Sequence, residues 1–269
     1  MAQVPTEDVR EIDGQLYFHD KIIRYKPDAL PKELSKYYAQ RYRLFSRYDE
    51  GCCLDRESWY SVTPESLAVQ IAQVCASHGA RVIIDLFCGA GGNAIAFAAA
   101  EEIDMVVAVD SCPVKLACAK QNAAIYGVAD KITFIEGDWA LMLHVVMQSL
   151  ADQIDTQPLV FLSPPWGGPQ YNVQRTFDIE SMPIPASVLM QVCGKYTQRI
   201  VLYLPRQSRQ DQVAALVSAS TLSLQSSSRP FKCACLSLHY LTTSGACKAL
   251  VCYFGSPHHT EHCQYNKQV

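Results

Sequence analysis

The sequence predicts an α/β fold in which a mostly parallel sheet is covered by helices on both faces. Three observations support this prediction. From residue 81 onward, apolar runs rich in β-branched residues alternate with helical apolar patterns. The connections between these runs are short, which is typical of parallel strands joined by helical crossovers. Near the end of the chain, residues 232–242 and 247–254 are strand-like, and the connection between them is short enough for an antiparallel hairpin.

Each element of the alternation has its own apolar run. The pattern predicts strands at 81–87, 105–110, 131–137, 159–163 and 199–204, and helices at 92–101, 112–126, 139–150, 186–196 and 208–219. Residues 218–228 are rich in serine and predict a surface loop.

The residues before the alternation predict a small extension. Residues 15–18 and 21–25 predict a short hairpin or a loosely held arm, and residues 31–48 predict a helix in which aromatic residues recur on related faces. A clear helix start follows, because Thr63 suits the N-cap, Pro64 suits the first helical position and an acidic residue follows in the first turn. This helix leads into the first strand of the alternation.

Size and composition limit the possible functions. With 269 residues and 49% apolar content, the chain is long enough for one full core with an N-terminal appendage. A net charge of −3 argues against a broad electrostatic grip on long nucleic acid, so any nucleic-acid contact is expected to be local. The sequence predicts neither a membrane span nor a secretory signal. Twelve cysteines are scattered through predicted strands and helices, which favours an intracellular protein with reduced thiols.

A Gly-rich turn follows the first strand of the alternation. The strand ends on Asp85, and Gly89 and Gly91 come before a helical pattern that begins near Asn93. Glycine lets the backbone turn sharply and approach a ligand closely. Because the acidic residue precedes the glycines, the turn is a poor site for a pyrophosphate. It suits a cationic or amino-bearing ligand such as S-adenosylmethionine.

The next two strands also end on acidic residues. Asp110 lies about twenty residues beyond the glycines, the distance at which doubly wound folds place a carboxylate on ribose hydroxyls. Asp138 and Trp139 offer an acceptor for an adenine amino group and an aromatic ring beside it. The alternative for either acidic residue is that it only caps the following helix.

The fourth strand ends on Ser163-Pro164-Pro165-Trp166. Proline cannot continue a strand ladder and keeps the preceding residue extended, so backbone carbonyls are left without a neighbouring donor. These carbonyls suit a planar exocyclic amine, and the aromatic residue suits the ring that carries it. The alternative is a proline-rich turn that closes a core strand.

Together these features predict a methyltransferase. A parallel sheet that finishes in an antiparallel hairpin is the layout of the Rossmann-like, seven-stranded class I S-adenosylmethionine-dependent methyltransferases. We therefore predict this fold with a small helical N-terminal extension. The expected boundaries are an extension at 1–62, a methyltransferase domain at 63–256 and a flexible tail at 257–269.

Longer motifs resemble the trimethylguanosine synthase family. Residues 36–51, KYYAQRYRLFSRYDEG, are similar to the N-terminal signature of that family. Residues 54–65, the D-L-F-C-G-A-G-G-N turn and residues 163–171 are similar to further family motifs. The resemblance is continuous from about residue 34 to 254. Members of this family methylate the exocyclic N2 of a 7-methylguanosine RNA cap, using S-adenosylmethionine and releasing S-adenosylhomocysteine.

The resemblance implies a role for each matching residue. Trp166 is expected to stack on 7-methylguanine while Ser163 and Pro164 hold N2, so these three are the candidate catalytic residues. Other candidate substrate contacts are Lys36 and Arg206 at the cap triphosphate, with Tyr171 nearby. The residues expected to bind or cover the methyl donor are Phe45, Ser61, Thr63, Asp85, Gly89, Gly91, Asn93, Asp110, Asp138 and Trp139.

The resemblance also implies partners and a location. The expected substrates are capped small nuclear and nucleolar RNAs, which receive one or two methyl groups. We expect a monomer in the nucleus, in the nucleolus or nuclear bodies, with the cytoplasm as a further location. No metal is expected, because Cys233 and Cys235 fall on one face of a strand, as in core packing. The cluster of His258, His259, His262 and Cys263 is better explained as a flexible polar tail.

Two other functions remain open at this point. An adenine-N6 or glutamine-amide methyltransferase would use the same Pro-Pro carbonyls. A cap-binding protein with a vestigial methyltransferase fold is the other alternative. Trp166 argues against the first, because it favours a larger and charged purine, and the intact acidic strand ends argue against the second.

Overall fold

The structure, a computed structural model, describes residues 8–168, 175–223, 236–243 and 246–255. Tyr171, Cys233, Cys235 and the histidines of the tail lie outside these residues, so the expectations for them stay predictions. The predicted boundaries at residues 62 and 256 also stay predictions.

The N-terminal segment forms a three-stranded antiparallel sheet of β1 (Val9–Ile12), β2 (Gln15–Phe18) and β3 (Lys21–Arg24). The sequence left open a hairpin of β2 and β3 or a loosely held arm, and the structure has the hairpin; β1 was not predicted. Three of the four β1 residues are exposed, so this strand has no apolar alternation that would reveal it.

A seven-stranded sheet carries the order β6-β5-β4-β7-β8-β10-β9 and confirms the predicted fold class. Its strands are β4 (Val82–Asp85), β5 (Met105–Asp110), β6 (Ile132–Glu136), β7 (Leu159–Leu162), β8 (Ile200–Pro205), β9 (Leu236–Thr243) and β10 (Ala246–Phe254). As predicted, the last two strands pair in antiparallel fashion.

Four helices precede the seven-stranded sheet in the chain, namely α1 (Ser35–Tyr38), α2 (Arg41–Leu44), α3 (Ser58–Ser61) and α4 (Glu65–Ser77). The helices that alternate with the parallel strands, as the sequence predicts, are α5 (Gly92–Ala99), α6 (Pro113–Tyr126), α7 (Trp139–Leu150), α8 (Ala186–Cys193) and, after β8, α9 (Gln210–Ser223). α6 illustrates the local signals, because Pro113 occupies its first turn and Gly127, with φ of +71°, ends it in the left-handed region.

The chain divides into two compact units. The first comprises Met1–Ala76 and Phe87–Trp139, and in it β5 pairs with β6 in parallel. The second comprises Ser77–Leu86 and Ala140–Val269, and in it β7 pairs in parallel with both β4 and β8. β10 pairs antiparallel with β8 in this second unit.

The prediction of one continuous helix over residues 31–48 is wrong. Two short helices, α1 and α2, are separated at Gln40, where φ is −107° and ψ is 12°. At Phe45 the backbone is extended, with φ of −139° and ψ of 113°. α2 thus ends at Leu44, and the side chains of both Leu44 and Phe45 are buried.

No described helix is long and apolar enough to cross a membrane. The cysteines of the described residues are free thiols, and burial raises the pKa of both Cys53 and Cys193 to about 12. These side chains therefore act as small apolar core groups.

Candidate active site

The Gly-rich turn of the first unit has the backbone shape that the sequence predicts. Gly89 and Gly91 have φ of +54° and +89°, in the left-handed region that favours glycine. A Cβ at Gly91 would lie 3.1 Å from the Cβ of Ala119 on α6. The N–H of Cys88 donates to the carbonyl of Val109 at 2.9 Å, which ties the turn to β5. The turn therefore requires glycine both for its conformation and for its packing.

Asp110, the last residue of β5, bonds to this turn with one carboxylate oxygen and to the segment before α6 with the other. Oδ2 accepts a hydrogen bond from the N–H of Gly89 at 2.9 Å, and Oδ1 accepts one from the N–H of Cys112 at 2.9 Å. Each oxygen has a second lone pair, so both keep capacity for a further donor. Asp110 thus organises the turn before α6 and retains acceptors suited to ribose hydroxyls.

Asn93 and Thr63, both predicted to bind the donor, are buried and bonded to each other. Nδ2 of Asn93 donates to Oγ1 of Thr63 at 2.8 Å. Oδ1 of Asn93 is buried and accepts no hydrogen bond from any residue in the described part of the chain. A buried acceptor left unsatisfied costs about 1–3 kcal/mol. A donor group on a bound cofactor would remove this cost, so Asn93 fits a cofactor with an amino or hydroxyl group.

The chain before α4 packs directly on the start of α5. A Cβ at Gly92 would lie 2.8 Å from Cγ2 of Val62 and 3.2 Å from the carbonyl oxygen of Thr63. Only glycine permits this approach. Ser61 ends α3 just before this contact, is exposed, and donates from Oγ to the carbonyl of Glu57 at 3.1 Å.

An aromatic pair lies where an adenine ring is expected. Trp139 begins α7, and the centroid of its ring is 5.9 Å from that of Phe87, with the planes 36° apart. Both side chains are half-buried, and Asp138 beside them is exposed. An exposed carboxylate next to two partly open aromatic faces suits a planar base with an amino group.

Phe45 is held in the core of the first unit by its neighbour Ser46. The Phe45 ring lies 6.0 Å from that of Tyr126 in an edge-to-face contact. The backbone N–H and hydroxyl of Ser46 donate to Glu65 at 2.5 and 2.8 Å, and the Tyr126 hydroxyl donates to Glu65 at 2.6 Å. We call this group of Ser46, Glu65 and Tyr126 the latch, because it joins the segment after α2 to α4 and α6.

In the second unit, β7 stops at Leu162, and the Ser-Pro-Pro-Trp residues follow. Ser163 is half-buried and Pro164 is buried. Neither residue makes a hydrogen bond to any other residue that the structure describes. Within the described residues, the Ser163 and Pro164 carbonyls thus keep acceptor capacity that would suit an amine.

The indole of Trp166 is half-buried and stacks on Tyr203 of β8. The two ring centroids are 5.3 Å apart, and the planes differ by 24°. Tyr203 itself is buried, with 6% of its surface exposed. A buried phenol ring thus supports one face of a partly open indole next to the Pro-Pro strand end.

Two further predicted residues lie at strand ends of the second unit. Asp85, the last residue of β4, is completely buried. Arg206 directly follows β8, is exposed, and donates from Nη1 to the carbonyl of Cys247 at 3.2 Å. A guanidinium has five N–H donors, so this bond leaves most of them for an anion. In the first unit, Lys36 is exposed with its Nζ 4.7 Å from the centre of the Tyr37 ring.

The sequence reasoning missed four residues of the site. Phe87 lies inside the Gly-rich motif, between Leu86 and Cys88, and this position could have identified it as a site residue. Tyr203 lies in an unbroken apolar strand, so nothing in its local pattern separates it from the core. Glu65 and Tyr126 were read only as helix residues, because their partner Ser46 is far away in sequence.

Parallel strands that end on acidic residues, a glycine turn that only glycine fits, and a Pro-Pro strand end followed by a half-buried tryptophan define a class I methyltransferase. Comparison with solved structures supports the fold. A protein from Porphyromonas gingivalis W83, described as a methyltransferase, has a TM-score of 0.53 at 14% identity, over 84% of this chain and 51% of that chain.

Sequence comparisons establish the family. The family model for RNA cap guanine-N2 methyltransferase matches residues 80–257. The trimethylguanosine synthase of Schizosaccharomyces pombe (strain 972 / ATCC 24843) is 37% identical over 228 residues, which are 84% of this chain and 87% of that protein. The enzyme of the same name from Saccharomyces cerevisiae (strain ATCC 204508 / S288c) is 34% identical over 230 residues, 83% of this chain and 68% of that protein. The chain belongs to the RNA cap guanine-N2 methyltransferase family.

Proposed function

We propose that this methyltransferase uses S-adenosylmethionine to add one or two methyl groups to N2 of the 7-methylguanosine cap on small nuclear and nucleolar RNAs. Family membership supports methylation of cap guanine at N2. The observation that carries the proposal is the half-buried Trp166 ring, backed by Tyr203 and placed directly after the Pro-Pro strand end.

Trp166 explains why the substrate is methylated at N7. Methylation at N7 makes the purine cationic, and a cation over a tryptophan face gains about 0.5–2 kcal/mol. Tyr203 supports the indole from β8, and the purine would stack on the indole. Trp166 therefore selects the methylated cap over plain guanosine through the positive charge of the purine as well as through the stacked ring area.

Ser163 and Pro164 act by positioning the amine. Their available carbonyls would accept the N–H groups of N2 and direct the nitrogen lone pair at the methyl group. The bound donor supplies a methyl group on a sulfonium that is already activated. As the N–C bond forms and the S–C bond breaks, the nitrogen becomes cationic and loses its proton to solvent or a nearby oxygen. The protein therefore mainly provides alignment and exclusion of water.

The first unit has residues that fit the donor. The Gly89–Gly91 turn allows close backbone approach, and Asp110 keeps acceptor capacity for hydroxyl groups. Oδ1 of Asn93 lacks a donor among the described residues, and the Phe87–Trp139 pair offers a face for adenine. The residues of this unit would hold the nucleoside and amino-acid ends of S-adenosylmethionine.

The decisive experiment uses minimal substrates and labelled S-adenosylmethionine. The wild-type protein should methylate 7-methylguanosine diphosphate and leave guanosine diphosphate and adenine-containing RNA unmodified. Mass measurement after exhaustive reaction gives the number of methyl groups added. Equal methylation of the unmethylated nucleotide would overturn the role of Trp166, and methylation of adenine would support the alternative enzyme. Calorimetry that shows no donor binding would support a cap-binding protein.

The substrate class also suggests where the enzyme works. Small nuclear and nucleolar RNAs lead us to propose nuclear action, in the nucleolus or nuclear bodies, with the cytoplasm as a further location. We also propose a monomer. Imaging of the tagged full chain tests the location, and light scattering after size exclusion tests the oligomeric state.

A further inference from the structure

Asn122 of α6 is completely buried and bonds to backbone groups of two segments that lie far from it in the sequence. Its Oδ1 accepts a hydrogen bond from the N–H of Cys53 at 2.6 Å, and its Nδ2 donates to the carbonyl of Cys53 at 2.9 Å. The same Nδ2 donates to the carbonyl of Ala90 at 2.9 Å. Both N–H groups of the amide are therefore used, which fixes the plane of the side chain. The steps of the proposed methyl transfer give this residue no role.

The bond to Ala90 supports the Gly-rich turn. Ala90 is buried and lies between Gly89 and Gly91. The carbonyl of Ala90 and the N–H of Gly91 belong to one planar peptide group, and that N–H donates to the carbonyl of Cys88 at 2.9 Å. This peptide group is thus held at both ends. Asn122 therefore supports the turn from α6, in addition to the backbone bond that ties the turn to β5.

The two bonds to Cys53 reach the N-terminal extension. Residues 52–54 are completely buried. The N–H of Leu54 donates to the carbonyl of Ile23 on β3 at 2.7 Å, which joins this segment to the three-stranded sheet. Asn122 holds the same segment from the other direction through the N–H and the carbonyl of Cys53. One buried amide therefore connects the extension with the turn before α5.

We propose that Asn122 is a positioning residue through which binding of the methyl donor at the Gly-rich turn stabilises the N-terminal extension. The inference rests on the donor site of the proposed function. A donor that contacts the turn restricts the peptide groups of residues 88–91, and direct hydrogen bonds through a fixed amide carry this restriction to Cys53. Coupling between two sites is reciprocal, so an extension held in place favours donor binding by the same factor. All these contacts lie within the first unit.

Hydrogen exchange of the wild-type protein tests the coupling without any substitution. Addition of S-adenosylhomocysteine should slow exchange both in residues 88–92 and in residues 51–55. If the ligand binds but residues 51–55 exchange at the same rate, the inference is wrong. A wild-type protein that binds no S-adenosylhomocysteine in calorimetry would refute the donor site, and the inference with it. Binding without methylation of 7-methylguanosine diphosphate would refute the proposed function and leave the coupling standing.

Two variants test whether the coupling passes through Asn122. N122A removes all three hydrogen bonds, and N122D places a carboxylate oxygen where the amide nitrogen now donates to two carbonyls. Coupling between linked sites is typically about fivefold or more, so each variant should bind S-adenosylhomocysteine at least about fivefold more weakly. Each should also lose the ligand-dependent protection of residues 51–55. In turnover assays, the KM for the donor should rise by a larger factor than kcat falls.

I71A is the control for a general loss of stability. Ile71 lies on α4 and is completely buried in the same unit. I71A should melt at a lower temperature and still bind S-adenosylhomocysteine with nearly wild-type affinity, with residues 51–55 protected on binding. If I71A loses as much affinity as N122A, the effect of Asn122 is only one of folding, and its positioning role is refuted. Wild-type affinity in both N122A and N122D would also refute it.

Discussion

The Tyr203 ring lies 5.3 Å from the indole of Trp166, centroid to centroid, and nearly parallel to it at 24°. Tyr203 belongs to β8 and is fixed on both sides, because β8 pairs with β7 and with β10. Trp166 belongs to the irregular segment after β7. The plane of a loop side chain is therefore set by a residue of the central sheet.

Replacing Trp166 should impair cap recognition more than any histidine or glutamate substitution. Stacking of a base on an aromatic ring is worth about 1–3 kcal/mol, and the cationic purine adds about 0.5–2 kcal/mol. W166A should therefore lower kcat/KM for 7-methylguanosine diphosphate by roughly tenfold or more, and W166F by less. Steady-state kinetics on folded variants measures this. A larger loss in a histidine variant such as H144Q would contradict it and indicate a dominant general base.

Replacing Asp110 should affect both folding and donor binding. In D110N, an amide nitrogen must face one of the two backbone N–H groups that now donate to the carboxylate. We expect a loss of about 1–3 kcal/mol in the free energy of unfolding, together with weaker donor binding. Urea denaturation and calorimetry with S-adenosylmethionine measure the two effects. D130N, at an exposed position, is the matched control. Wild-type stability in D110N would show that the turn holds without this carboxylate.

Breaking the latch should loosen the segment that carries Phe45. E65A removes the acceptor of three hydrogen bonds, from the N–H and hydroxyl of Ser46 and from the hydroxyl of Tyr126. We expect faster proteolysis within residues 40–50 and a higher KM for the donor, with a smaller change in kcat. E65Q keeps acceptor oxygen and should restore part of the effect. If E65A is cut no faster than the wild type, the latch does not control this segment.

The second unit should lose stability in mild acid. Burial lowers the pKa of His78, with a further contribution from Arg199, and burial lowers the pKa of His239, with a further contribution from His78. The ring centroid of Tyr253 lies 5.9 Å from that of His78 and 4.8 Å from that of His239. The unfolded chain, with a histidine pKa of about 6.5, binds these protons more readily than the folded chain. The stability that the two neutral histidines contribute is therefore complete above the pKa of the unfolded chain, about 6.5, and is lost as the pH falls below that value.

Urea denaturation between pH 7.5 and 5.5 tests this expectation. The free energy of unfolding should decrease toward pH 5.5 in the wild type and change less in the H78Q/H239Q variant. Substitution of His144, whose Nδ1 lies 2.9 Å from the Tyr196 hydroxyl at an exposed position, is the control. An identical slope in wild type and double variant would exclude these two histidines as the cause.

Strand ends were the part of the site that sequence predicted best. Asp85, Asp110 and Ser163 each follow an apolar run. The periodicity and length of these runs alone place the three residues at the carboxyl ends of parallel strands. Contacts between distant segments were beyond such reasoning. Ser46 meets Glu65 and Tyr126 across 19 and 80 positions, and no local signal records either pairing.

The broken helix near Gln40 shows a second limit. Aromatic residues at helical spacing are equally compatible with one long helix and with two short ones. The choice depends on which side chains the core can bury, and this becomes visible only when Phe45 and Tyr48 are seen packed inside the first unit. Tyr203 is a related case, because its strand pattern predicts burial without identifying the ring that it supports.

The 2.8 Å separation between a hypothetical Cβ on Gly92 and the Val62 methyl has an evolutionary consequence. A lineage that replaced this glycine with alanine would have to shrink or shift its neighbour thirty positions earlier, and neither substitution is neutral without the other. The two sites should therefore vary as a pair among descendants of a common ancestor. Natural variation at residue 62, ahead of the sheet, is thereby linked to variation at the end of the Gly-rich turn, although the two positions lie far apart in the sequence.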